Sequence, residues 1–122
     1  MRFVSPETVR LALDGHDWVE AKKELTVGEQ IALDTAGLSR RAADGLVEID
    51  WHKRATAKMV VYVVDWSEKR KVSQQAFEAL ALEDFQRIDR ALDAHLAAMD
   101  AAKKAPAPSG ASSSTEDSPS AA

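Results

Sequence analysis

Apolar positions along the chain begin with a short stretch of period two and continue with longer stretches of period three to four. Val9, Leu11 and Leu13 alternate with other residues, which predicts a strand with one apolar face. Asp14 and Gly15 follow as a turn pair, and Asp17 suits a loop slightly longer than two residues. Trp18 to Leu25 supplies a second, more polar strand, expected to be half exposed. A lone hairpin is marginal in water, so this one is expected to lean on the rest of the fold.

The pattern then turns helical. Thr26 and Glu29 have the spacing of a capping box, with Thr26 as N-cap and Glu29 reaching back to it. Val27, Ile31 and Thr35 share a face, and Gly37 is placed to stop the helix. "SRRAADG" reads as a loop, and "LVEI" as a short extended piece.

"MVVYVV" (Met59–Val64) has two readings. As a β-branched and aromatic run it suits a buried strand. Read from Asp50 as N-cap, Trp51, Ala55, Met59, Tyr62, Val63 and Trp66 fill one helical stripe, which Lys53, Arg54, Lys58 and Asp65 avoid. The helical reading accounts for far more of the chain and predicts a helix over Trp51–Trp66. Val60 and Val64, with Val61 beside them, then lie on the back of that helix as a surplus apolar face for a partner. A membrane span is excluded by length, since spanning takes about 20 apolar residues.

Ser73 is placed to cap a short helix through "QQAFEAL", with Phe77 and Leu80 inward. From Leu82 to about Lys103, Phe85, Ile88, Leu92, Leu96 and Met99 recur every third or fourth residue. Glu83 and Asp84 at its start and Lys103 and Lys104 at its end complement the helix dipole. From Ala105 the text becomes "APAPSGASSSTEDSPSAA", with no large apolar residue to offset ordering entropy. The expected organisation is one domain over 1–104 and a disordered tail over 105–122. The expected fold is α+β, mainly α: an N-terminal β-hairpin packed on a small bundle of about four helices.

Composition narrows the function. The net charge of −4 and a sequence pI near 5.3 disfavour a dedicated nucleic-acid binder. The absence of cysteine removes disulfides, thiolate catalysis and cysteine-bound zinc, and fits a reducing cytoplasm. The opening "MRFVSPETVR" has no apolar core of signal-peptide length. His16, His52 and His95 share no ligand spacing, and no glycine-rich phosphate loop is present. Asp89 and Asp93 lie one helical turn apart, a spacing that suits a solvated face better than a cation site. No metal, cofactor or catalytic residue is expected, and the chain reads as a binding protein, not an enzyme. Of the three tryptophans, Trp51 and Trp66 are expected in the core. Trp18, after a polar turn, is a candidate partner contact beside Val60, Val61 and Val64.

Two segments together carry a family resemblance. "FVSPETVRLALDGHDWVEAKKELTVGE" resembles the opening of small tail assembly chaperones of long-tailed bacteriophages. "VVYVVDWS", followed by "VSQQAFEALALEDFQRIDRALDAHL", resembles the family's later segment, and the likeness covers about residues 3–95. The connector after "DWS" is "EKRKVS" here, where the family often has a longer one containing glycine. The resemblance implies a non-virion protein of the host cytoplasm that binds the tape measure protein and helps bring tail tube protein to it. It also implies, in many members, a longer form made by ribosomal frameshifting. Self-association is a further expected property. The rival readings are a small structural virion protein, such as a head–tail joining component, or an antitoxin-like regulatory binding protein.

Overall fold

The computed structural model describes residues 1–41 and 43–104, so the predicted tail over 105–122 lies outside the described residues. The architecture is α+β and mainly α, with the N-terminal hairpin packed against helices. Strand β1 (Thr8–Ala12) pairs antiparallel with β2 (Trp18–Lys22), Leu11 opposite Val19. Val9 and Leu11 face inward with Leu13 just beyond the strand, as the alternation predicts. The second strand differs from expectation. Val19 and Ala21 are fully buried, because β2 is the central strand of three.

The third strand is β5 (Val63–Trp66), antiparallel to β2. Helix α2 (Trp51–Tyr62) therefore ends at Tyr62, not at Trp66 as the helical stripe predicts. Each reading of "MVVYVV" holds for part of the run, helical to Tyr62 and extended from Val63. The pairing sets Val63 opposite Ala21, Asp65 opposite Glu20 and Trp66 opposite Val19, so Val64 is an unpaired extra residue. This β-bulge brings Val63 and Trp66, three residues apart, onto one inward face.

Between these lie α1 (Val27–Thr35), β3 (Leu38–Arg40) and β4 (Val47–Ile49). The capping box forms as predicted, with the Glu29 amide donating to Thr26 Oγ1 and the Thr26 amide donating to Glu29 Oε1. Gly37 ends the helix at φ +73°, and a Cβ there would come 2.6 Å from the Asp50 carbonyl oxygen. Only Ser39 and Arg40 of the expected loop are extended, in the first strand of a second hairpin, β3–β4, whose second strand is the expected extended piece, with Leu38 opposite Ile49 and Arg40 opposite Val47. A second Asp-Gly pair marks its turn. Gly45 sits at φ +72°, and the Asp44 carboxylate accepts from the Leu46 amide.

Helix α3 (Gln74–Glu78) is capped by Ser73, whose hydroxyl accepts from the Ala76 amide. Helix α4 (Leu82–Lys104) runs as its periodicity predicts. The core gathers where the three-stranded sheet meets α2, α3 and α4. Phe77, Met59, Leu92 and Val19 are its largest fully buried side chains. Each contributes about 1.5–3 kcal/mol of burial. Trp66 meets Phe77 edge to face, with ring centroids 5.1 Å apart.

Polar contacts tie the helices to this frame. Lys58 of α2 reaches Asp89 at 2.7 Å and Asp93 at 2.5 Å, so the cation between those two acids is the chain's own ammonium. Burial pulls the Lys58 ammonium down, but its hydrogen bonds to Asp89 and Asp93 outweigh that and hold it above its ordinary value. His95 is buried, with Nε2 2.9 Å from the Lys22 carbonyl oxygen. At the start of the chain the Arg2 guanidinium forks onto the Glu24 carboxylate at 2.7 and 2.8 Å. Arg2 and Glu24 line one cleft with Met99 and Lys103, so the N-terminal segment and the end of α4 share a side of the molecule.

Candidate docking surface

Trp51 is the first apolar residue of α2 and was expected inside. It stands 70% exposed. The helix begins at Asp50, whose carboxylate accepts from the His52 and Lys53 amides. The inward stripe starts only a turn later, with Thr56, Met59 and Tyr62 buried.

The structure separates the four sequence-predicted contact residues. Val60 stands 43% exposed on α2, while Val61 is partly buried against the core. Both line a cleft of about 340 Å³ whose wall includes Ala32, Ala36 and Ala57, between α1 and α2. The alanines leave room that larger side chains would fill. Lys53 and Glu78 put one charge of each sign on its border. Val64 is equally exposed, but it is the bulged residue of β5 and not a neighbour of Val60 on the back of a helix. The continuous face of Val60, Val61 and Val64 therefore does not exist.

Trp18 stands apart from both. Its ring is covered by the Arg10 guanidinium, 3.6 Å from the ring centroid, as a cation–π pair. Its backbone is locked to the sheet end, the amide donating to Ser67 Oγ at 3.1 Å and the carbonyl accepting from the Ser67 amide at 3.0 Å. It borders a smaller cavity of about 90 Å³ with Leu13, Trp66 and Ile88. Arg87 closes this region, donating to Asp84 at 2.7 Å, Asp17 at 3.1 Å and the Asp14 carbonyl at 2.9 Å. Hydrogen bonds to Asp17 and Asp84 hold the Arg87 guanidinium above its ordinary value, and this cation, permanent in any case, ties the first turn to α4.

Sequence reasoning missed a second apolar surface. On the β3–β4 ribbon Leu38, Val47 and Ile49 share one face by register and alternation, with Arg40 beside them opposite Val47, and all are exposed. Trp51, two residues beyond Ile49 across the extended Asp50, continues the same parity. The usable signal was the second Asp-Gly pair, between "LSR" and the alternating "VEI". Val27 and Ile31, one turn apart on α1, are exposed as well.

The arrangement offers apolar contact and ion pairs. Among the described residues no group of His, Asp and Glu side chains is arranged to hold a metal, and no helix is long and apolar enough to cross a membrane. Comparison with known protein families, curated proteins and solved structures finds no match to this chain.

Proposed function

We propose that this chain is a tail assembly chaperone of long-tailed bacteriophages. In this reading it acts in the host cytoplasm, binds an apolar helical segment of the tape measure protein, keeps that segment soluble and promotes tail tube assembly around it. It is a binding protein, not an enzyme, and does not stay in the virion. The observation that carries the reading is the cleft between α1 and α2, where Val60 and Val61 stand beside alanines that leave space for incoming side chains. A helix laid on such a cleft anchors through residues spaced three and four apart. Burying the two valines contributes at most roughly 1.5–3 kcal/mol each before the costs of association. The resemblance of residues 3–95 to the family supports the same reading.

Val60→Asp tests it. The side chain is 43% exposed, so the carboxylate stays hydrated and the fold is expected to hold. Coexpressed wild-type chain should keep the tape measure protein soluble and co-purify with it. The Val60→Asp variant should lose both properties, while Val64→Asp, away from the cleft, should keep them. A folded Val60→Asp variant that still solubilises the tape measure protein would remove the cleft as the site. Finding the chain in finished particles would make it a structural virion component.

A further inference from the structure

We infer that the docking groove does not end with the α1–α2 cleft but continues into a second pocket, beside α3 and α4, which takes a large apolar side chain of the same partner helix. The inference rests on the proposed function and extends its site. The pocket has a volume of about 320 Å³ and is lined by Phe77 of α3, Leu80 of the connector and Leu82 and Phe85 of α4, with His52 on the α2 side. Phe77 is fully buried, and Leu80 and Phe85 pack against the core, so this part of the wall is fixed. Leu82 differs. It is the first residue of α4 and lines the pocket, yet it stands 63% exposed.

Pocket and cleft are adjacent. Lys53, Thr56 and Glu78 line both, so the two spaces follow the same flank of α2 with α3 beside them. Val60 in the cleft and His52 in the pocket are eight residues apart on α2, about 12 Å at 1.5 Å per residue. A partner helix lying along α2 covers that distance with side chains seven or eight residues apart, which fall on one of its faces. One apolar anchor then meets Val60 and Val61, and a second, the size of leucine, methionine or phenylalanine, enters between Leu82 and Phe85. Charge defines the stretch between the anchors. Lys53 is exposed at the junction and has no ion-pair partner among the described residues. The occupant is therefore an amphipathic helix with two apolar anchors two turns apart and an acidic residue between them.

Competition during coexpression tests the groove. Wild type and one variant are expressed in equal amounts with a tagged tape measure protein, recovered on it and counted by peptide mass spectrometry. Leu82→Asp adds an acid to the first turn of α4, where Glu83 and Asp84 already stand and the helix dipole favours it, so the fold is expected to hold. Its share of the complex should lie at least tenfold below that of wild type. Lys53→Glu should fall by about threefold, the scale of an exposed ion pair. Val60→Asp reports on the cleft alone. If Val60→Asp is lost while folded Leu82→Asp binds like wild type, the groove stops at the cleft, and the inference is overturned while the proposed function stands. If wild type is not recovered, or if both aspartate variants bind like wild type, the proposed function fails and takes the inference with it. Loss of Leu82→Asp with full binding of Val60→Asp would make the pocket a separate site and overturn the single groove. A Lys53→Glu variant that keeps its full share would overturn the acid-bearing occupant. If Leu82→Asp loses its far-UV helical signal, Leu82→Ser takes its place with the same expected loss, and failure of both to fold would assign Leu82 to the chain's own interior and overturn the inference.

Discussion

Single side chains in this protein are legible from sequence mostly where their partners are near in the chain. Thr26 and Glu29 cap one another across three residues, and Ser73 caps α3 in the same local way. The environments of Trp51 and Trp18 come from elsewhere in the chain. Trp51 lost its expected cover when the inward stripe of α2 began a turn later, and Trp18 gained cover from Arg10 across the hairpin. Glu24 is a further long-range case. The Arg2 guanidinium, and then the Ser5 amide, hold its carboxyl down to about 2. A depressed carboxyl contributes its tie fully above the ordinary value of about 4.3 and loses it as pH falls through the folded value. Carbon-13 titration of the Glu24 carboxyl should therefore give a midpoint near 2. Amides before Ser5 should lose their ordered shifts over the same acid range and not between neutral pH and the ordinary carboxylate range. A Glu24 midpoint in the ordinary range would show that the clasp does not form in solution.

At the scale of elements, long amphipathic segments were the most legible. Helix α4 follows its periodicity because Ile88 and Leu92 stay on one buried face. The error at the end of α2 has a definite cause. A regular strand places inward residues two apart, but the bulge at Val64 places Val63 and Trp66 three apart. Three is also a helical interval, so the stripe Met59, Tyr62, Val63, Trp66 continues through the change from helix to strand. Pairing with β2 decided the matter, and that pairing is not a local property. Removing one valine of the Val63-Val64 pair deletes the extra residue but preserves the register of Val63, Asp65 and Trp66 against β2. That variant should fold, losing no more than about 1–2 kcal/mol in a denaturant titration, with the near-UV signal of the Trp66–Phe77 pair retained. Loss of that signal would mean that the bulge is needed to hold Trp66 inward. Strand β4 is the expected short extended piece, but β3 and its pairing with β4 escaped notice because a three-residue strand carries too few positions for alternation to stand out.

At the scale of the whole molecule, the sheet is closed by the chain's own middle. Strand β2 lies between β1, which precedes it, and β5, which arrives after two helices and a second hairpin. The fold therefore depends on a long-range pairing, while the candidate contact surfaces lie on the inserted segment from α1 to α2. Fold class was readable because the sheet and helices follow from patterning, and Val60 and Val61 were legible singly, whereas the candidate contact surface as a whole was not. It is made of whatever the folding of that insert leaves uncovered. The cleft that Arg2 and Glu24 share with Met99 and Lys103 has a consequence for connectivity. Where the two ends of a folded unit lie side by side, their order along the chain is a matter of convenience, and a short link between them demands little closure entropy. A permutant of residues 1–104, joined end to start by a few glycines and serines and reopened at the Asp14-Gly15 turn, should give the same far-UV spectrum and a single cooperative melt. Its new termini would emerge beside Arg87, on the turn that this cation ties to α4. A permutant that fails to fold there, while one reopened at the Asp44-Gly45 turn succeeds, would mark the first hairpin as the piece that must form unbroken.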